Sequence, residues 1–280
     1  MTLGAPGLRW TIGDVSRRGF EALRLSVWGA HRLFGEAAAY AICCNGVALD
    51  EARARTAPLP EGVAWHSVDH AMLPRWLMPH LEAGIAEGVA WKFAPLRVFP
   101  DRYEIALDND CILWAVPEAM RGWLAEDAPG RCLMAADVAP AFGKFADLCG
   151  KEPRNSGIRG VPPGHDLASA LRQVLEARSS ALGRPVVLTS ELDEQGLQTA
   201  ALSLRAAPLA VAVEEVTICS PFWPHRPELG SCGAHFVGLN SRHIAWDYYD
   251  RPADDWMREH WARHLPTLRE RTGAPPPVGE

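Results

Sequence analysis

The chain has 280 residues, is 48% hydrophobic and 22% charged, and carries a net charge of −6 with a sequence pI of about 5.9. That composition suits a globular protein with a sizeable core. The acidic balance excludes a general nucleic-acid binder, which needs a basic face, and no apolar run reaches the ~18–20 residues that span a bilayer.

The N-terminal stretch Met1–Gly7 has neither a charged n-region nor an apolar h-region, so no signal peptide is expected, and the chain reads as cytoplasmic or as visiting the membrane surface without insertion. Leu8–Gly13 reads as a first strand. Asp14 or Ser16 caps a helix over Arg17–Gly35, with Phe20, Leu23, Val27 and His31 or Phe34 at helical spacing. Ala38–Cys44 reads as a buried strand, residues 50–61 as a loop or short helix, and Val63–Val68 as a third strand. Pro74 and Pro79 divide the helical pattern of residues 71–90 into two short helices or a kink. Trp91–Phe99 starts helically and breaks near Pro95. A strand then runs into Asp108-Asn109-Asp110, and a second apolar run follows at once.

Pro117–Glu126 reads as a short helix, Arg131–Val138 as a strand, and residues 139–164 as a loop rich in Gly, Pro and charge. His165–Ser180 is an amphipathic helix, and residues 190–205 are a helix with an acidic start. Leu209–Cys219 gives one or two strands, residues 220–234 a loop, and residues 254–268 a final helix. Strands and helices alternate through the first half, which predicts an α/β fold with a mainly parallel central sheet flanked by helices. Residues 1–270 are expected to form a single domain and 271–280 a disordered tail.

The seven cysteines include no Cys-x-x-Cys and read as small core residues in a reducing compartment. Of the eleven tryptophans most belong to the core, and one or two exposed ones are candidate sugar-stacking platforms. A dinucleotide fingerprint, a Walker A loop and a Gly-x-Ser-x-Gly elbow are all missing. His260 and His264 lie one helical turn apart without a His-Glu-x-x-His pattern, and read as packing residues rather than zinc ligands.

Asp108-Asn109-Asp110 has two readings. As a turn, it uses residue types common in turns. As a site, it puts two carboxylates at the C-terminal end of a strand, where open α/β sheets bind ligands. Residues i and i+2 of extended backbone share a face, so both acids can reach one hard cation.

Four further pieces accompany it in chain order: Lys92-Phe93, Asn155-Ser156-Gly157, Asp193-Glu194-Gln195 and His235-Phe236-Val237-Gly238. Together the five resemble the GT-A-fold nucleotide-sugar glycosyltransferases, in particular the retaining glycogenin- and lipopolysaccharide-galactosyltransferase-like group. The likeness spans roughly residues 8 to 243. Three departures stand out. Ser241-Arg242-His243 replaces the group's Lys-Pro-Trp, with Arg242 or His243 as substitutes for its lysine. Arg154 replaces an aromatic residue, and Glu194 is inserted between Asp193 and Gln195.

The resemblance implies a GT-A-like (Rossmann-like) sheet and transfer of a sugar, with retention, from a nucleotide-diphospho-sugar. A UDP-sugar is the expected donor. The acceptor is unspecified: a saccharide, a lipid-linked molecule or a small molecule. The resemblance also implies Mn²⁺ or Mg²⁺ on Asp108, Asp110 and His235. It implies donor contacts from Thr11, Gly13, Lys92, Asp108, Asn109, Asn155, Ser156 and Gly238, and catalytic roles for Asp193 and Gln195. A non-catalytic binding protein of the same fold and a sugar nucleotidyltransferase are the alternatives. The second would need a Gly-rich loop after the first strand, and Gly13–Gly19 is not one.

Overall fold

The structure, a computed structural model, describes residues 5–82, 90–125, 130–219, 228–240, 247–248 and 251–277. Its strands are β1 (Gly7–Ile12), β2 (Ala39–Cys44), β3 (Val63–Ser67), β4 (Glu104–Asp108), β5 (Cys111–Leu113), β6 (Leu133–Ala136), β7 (Arg154–Val161), β8 (Leu209–Val211), β9 (Val216–Ile218), β10 (Gly233–His235), β11 (Asp247–Tyr248) and β12 (Arg251–Pro252). Its α-helices are α1 (Arg17–Phe34), α2 (Leu49–Thr56), α3 (Glu118–Leu124), α4 (Leu167–Leu182), α5 (Glu191–Ser203) and α6 (Ala253–Thr272).

Seven strands form the central sheet in the order β3-β2-β1-β4-β7-β6-β8. The pairs β1–β2, β2–β3, β1–β4 and β6–β8 are parallel, and β7 runs antiparallel to both β4 and β6. The expected α/β class and mainly parallel sheet are therefore present. A smaller sheet, β5-β10-β9, stands beside it.

Helix α1 lies between the two sheets. Ser16 caps it by accepting from the Gly19 N–H, so Ser16 and not Asp14 starts the helix. Phe20, Leu23, Val27 and Ala30 pack on the central sheet with Trp10, Ile42 and Leu107. Ala22 and Leu25, on another face, pack with Ile112, Ala234, Phe236 and the α6 residues Trp256 and Trp261. A Cβ at Gly29 would sit 2.0 Å from the Leu113 carbonyl oxygen, so only glycine lets β5 come this close to α1. The other face of the sheet is covered by α4, α5 and side chains from residues 68–81 and 90–98.

Several expectations need correction. The loop expected at 139–164 contains β7, a fully integrated strand buried along Asn155–Val161. Its glycines make it thin: a Cβ at Gly160 would lie 2.7 Å from Leu133 Cβ and 2.8 Å from the Trp123 ring. Among the described residues 71–82 there is no α-helix, only 3-10 turns at His70–Met72 and Met78–His80. Pro74 and Pro79 remove the donors a longer helix needs. The last helix continues through Pro266 to Thr272. The start of the expected tail is therefore helix, and the Pro275 carbonyl accepts from the buried Arg24 guanidinium. No helix among the described residues is long and apolar enough to cross a membrane. Cys43, Cys44, Cys111, Cys132 and Cys219 are buried and free, as expected of core residues.

If β7 is a core strand, Gly160→Ala must displace Leu133 or Trp123. We expect a loss of about 1–3 kcal/mol in chemical denaturation. An unchanged midpoint would return residues 154–161 to the status of a surface loop.

Candidate active site

Strand β4 ends at Asp108 beside Thr11 of β1. The chain turns through Asn109 and Asp110 into β5, which pairs antiparallel with β10, setting Cys111 opposite His235. The Phe236 N–H donates to the Asp110 carbonyl at 2.9 Å, extending that ladder. Backbone pairing thus brings His235 to the two acids. His235 Nε2 lies 3.2 Å from Asp110 Oδ1 and 3.8 Å from Asp108 Oδ2.

Among the described residues this is the one group of three side chains with metal-ligand chemistry converging on a point; one ligand atom from each lies within 4.8 Å of the others. That span is close to the ~4.2 Å separating opposite ligands held at ~2.1 Å from one ion. Two carboxylate oxygens and an imidazole nitrogen suit Mn²⁺ well and Mg²⁺ acceptably. His235 Nδ1 is buried without a hydrogen-bond partner against Gly157, where a Cβ would meet it at 2.5 Å. The ring is therefore held by packing with its Nε2 edge toward the acids. The residues present fit such an ion.

The cluster forms the floor of a cleft of about 680 Å³ at the C-terminal ends of β1 and β4, within the range of small-molecule sites. Thr11, Gly13, Lys92, Asp108, Asn109, Asp110, Asn155, Ser156, Gln195, His235 and Gly238 all line it. Because β7 runs antiparallel to β4, its first residues, Asn155 and Ser156, arrive at the same end of the sheet.

Lys92 sits on a 3-10 turn, Ala90–Phe93. Its Nζ donates to Asp108 Oδ2 at 2.9 Å and lies 3.4 Å from Glu194 Oε2. Burial works against its charge, but the Asp108 and Glu194 carboxylates outweigh burial and raise the lysine pKa. Burial likewise opposes the Asp108 charge, and Lys92 and Arg159 overcome it, holding that carboxyl below its usual range. For His235, burial disfavours the imidazolium, and Asp110 and Asp108 outweigh burial and raise its pKa. The Lys92 turn is itself held by Arg9 of β1, whose guanidinium donates to the carbonyls of Lys92 (2.6 Å) and Pro95 (2.5 Å).

Helix α5 starts at the cleft, capped by Ser190. Here the structure corrects one expected residue. Asp193 does not line the cleft. Its carboxylate accepts from the backbone N–H groups of Lys144 and Thr189, each at 2.8 Å, and from the Thr189 hydroxyl at 3.1 Å, and it pairs with the Lys144 ammonium at 3.0 Å. Asp193 braces the segment before α5 instead of facing a ligand. Its neighbour Glu194 takes the cleft position, 1% exposed, accepting from Ser156 Oγ at 3.2 Å, Arg159 at 3.4 Å and Gln198. Gln195 donates to the Ala141 carbonyl at 2.9 Å and accepts from the Ser156 N–H at 3.1 Å.

Asp137 and Asn240 are among the lining residues that stand outside the sequence motifs. Asp137 follows β6 and accepts from Asn155 Nδ2 at 3.0 Å. A carboxylate at the end of an expected strand was a readable signal for it, as for Asp108. Asn240, two residues beyond Gly238, carries no such signal. Among the described residues no tryptophan lines the cleft; Trp223 and Trp246 lie outside the described residues, as do Ser241, Arg242 and His243. His260 stacks on Trp256 at 4.6 Å and belongs to packing.

The sheet order and the carboxylate-ended β4 at the cleft define a GT-A-like α/β architecture. Among solved structures, the galactosyltransferase LgtC in complex with donor and acceptor sugar analogs is similar over 98% of each chain (TM-score 0.53, 14% identity). An active-site mutant of LgtC is similar over 95% of each chain (TM-score 0.51, 12% identity). Mouse xyloside xylosyltransferase 1 matches 84% of this chain and 99% of its own (TM-score 0.54, 15% identity). No family model matches the chain, and no curated protein matches it by sequence.

Burial opposes the Asp193 charge, but its Thr189 and Lys144 partners outweigh burial and lower its pKa. A depressed folded pKa stabilises the protein above the ordinary carboxylate range and is lost as pH falls through the folded value. Asp193→Asn is expected to cost about 2–3 kcal/mol near neutral pH. The parent's advantage should shrink as pH falls below about 4. A pH-independent difference in denaturation midpoint would contradict the bracing role.

Proposed function

We propose that this chain is a metal-dependent glycosyltransferase that takes its sugar, with retention, from a nucleotide-diphospho-sugar, a UDP-sugar first among candidates. The observation that carries the proposal is the convergence of Asp108, Asp110 and His235 on the floor of a cleft within a GT-A-like fold. The acceptor is a saccharide, a lipid-linked molecule or a small molecule.

Asp108, Asp110 and His235 hold the ion, with the imidazole favouring Mn²⁺ over Mg²⁺. When bound, such an ion neutralises, as a Lewis acid, the charge that develops on a departing nucleoside diphosphate. Thr11 and Gly13 border the base, because they end the strand beside β4 at the rim where ligands bind. Lys92 offers a second positive charge to the diphosphate as a point charge, pre-set by its bonds to Asp108 and Glu194. Asn155, Ser156 and Asp137 face the sugar. Gly238 gives the backbone close approach, having the positive φ that favours glycine. Gln195, with its amide oriented at both ends, flanks the anomeric carbon. Glu194 replaces Asp193 as the acid in this role and sets Lys92 and Ser156.

The second reading is a nucleotide-sugar-binding protein without transferase activity. The observation that favours it is that Glu194, Asn155 and Gln195 already spend hydrogen-bonding capacity on one another's neighbours.

Thermal unfolding with UDP- and GDP-sugars, with and without Mn²⁺, tests the proposal. A ligand at a hundred times its Kd stabilises by about 2.7 kcal/mol, so at least one nucleotide should raise Tm only when Mn²⁺ is present. Asp110→Ala should abolish that shift while its ligand-free unfolding stays cooperative. Slow release of UDP or GDP from the bound donor marks an enzyme, and metal-dependent binding without release supports the second reading. No metal-dependent shift with any nucleotide sinks both.

A further inference from the structure

We infer that Asn240 is a positioning residue for Asp110: its amide N–H holds one carboxylate oxygen so that the other is presented to the ion position shared with Asp108 and His235. The inference rests on the metal-dependent reading above. Asn240 Nδ2 donates to Asp110 Oδ2 at 3.0 Å. The other oxygen, Oδ1, is the one 3.2 Å from His235 Nε2. An aspartate carboxylate turns broadly about its last torsion, so which oxygen points at an ion is undetermined until one of them is held. Outer-shell donors of this kind orient ligating carboxylates and are worth roughly 10–100-fold in metal affinity.

Asn240 is itself firmly oriented. It forms a reciprocal amide pair with Asn109: Asn109 Nδ2 donates to Asn240 Oδ1 at 3.0 Å, and Asn240 Nδ2 to Asn109 Oδ1 at 2.9 Å. Asn109 Nδ2 also donates to the Gly19 carbonyl at 3.1 Å. The acceptors fix both amide orientations: a carbonyl oxygen faces one nitrogen and a carboxylate the other. Asn109 thereby works as a brace for Asp110 through Asn240, with its polar atoms committed inside the protein.

The backbone is shaped for this contact. After Phe236 the chain turns, with the Leu239 N–H donating to the Phe236 carbonyl at 3.1 Å and Gly238 at φ 90°. The turn carries Asn240 back over Asp110. On the facing helix, a Cβ at Gly19 would lie 2.5 Å from Asn240 Oδ1, so α1 admits the amide only because residue 19 is glycine.

The test is Mn²⁺ titration by calorimetry of the full chain, its Asn240→Leu and Asn240→Ala variants, and Asp110→Ala. Melting temperature in chelator and the low-temperature electron paramagnetic resonance spectrum of bound Mn²⁺ are read alongside. Asn240→Leu keeps the branched side-chain skeleton without its polar atoms, and Asn240→Ala covers the case in which the bulkier leucine does not fold. We expect both to bind Mn²⁺ roughly 10–100-fold more weakly and to alter the Mn²⁺ line shape, beside the lower melting in chelator that follows from leaving the buried Asn109 amide without its partner. A lowered melting temperature with parental affinity and line shape would make Asn240 merely structural and overturn the inference. Parental binding by both variants while Asp110→Ala loses it would also overturn the inference, and would leave the metal-dependent function standing. A parent chain that binds no Mn²⁺ overturns both.

Discussion

The short antiparallel ladder between Cys111–Leu113 and Gly233–His235 is the contact on which the site depends. β4 delivers two carboxylates, which alone are two ligands on a turn. The ladder adds the imidazole, and with it three donor types meet in one place. Side packing keeps the ladder in position. Gly29 lets α1 close on the Leu113 carbonyl, and Phe236 locks into a cluster with Trp261 of α6, their rings 5.1 Å apart and nearly perpendicular. Edge-to-face pairs of this kind contribute beyond the area they bury.

A second constraint is the charge arrangement behind the cleft floor. Arg9, Arg159 and Glu194 are almost wholly buried, and Lys92 is largely so. An unpaired buried charge costs several kcal/mol, so each must have partners. Glu194 collects donors from Lys92, Ser156, Arg159 and Gln198. Arg9 lies 3.8 Å from Glu104 and fixes the Lys92 turn through its carbonyl. Lys92 is thus held from both ends, by its backbone and by its ammonium group. Such preorganisation is what a site for an anionic ligand requires, because groups already oriented need no reorganisation when charge develops.

Much of the fold was legible in the sequence because apolar period and punctuation agreed there. β1, α1, β2 and β3 fall where the pattern puts them, and the strand ending in Asp108 is read from one abrupt change of polarity. β7 was hidden because most of its buried residues are polar or glycine, with only Ile158 and Val161 apolar. Asn155, Ser156 and Arg159 look like loop residues until Asp137, Gln195 and Glu194 are there to satisfy them, and Gly157 and Gly160 are read as breakers until His235 and Trp123 fill the space above them. Asp193 and Glu194 show a different limit. Neighbours on a helix point about 100° apart, so one inserted acid exchanges a cleft residue for a brace, and motif order alone does not reveal which is which. Asn240 was invisible because its role exists only through contacts with Asn109 and Asp110.

The proposed function turns on one divalent ion shared by side chains from β4's end and from β10. The most direct measurement is pulsed electron paramagnetic resonance of the Mn²⁺-loaded chain, which detects nitrogen bonded to the metal. One imidazole nitrogen coupled to a single bound Mn²⁺ is expected, lost in His235→Gln and retained in His260→Gln. Mn²⁺ bound without nitrogen coupling, or with coupling that survives His235→Gln, would contradict it.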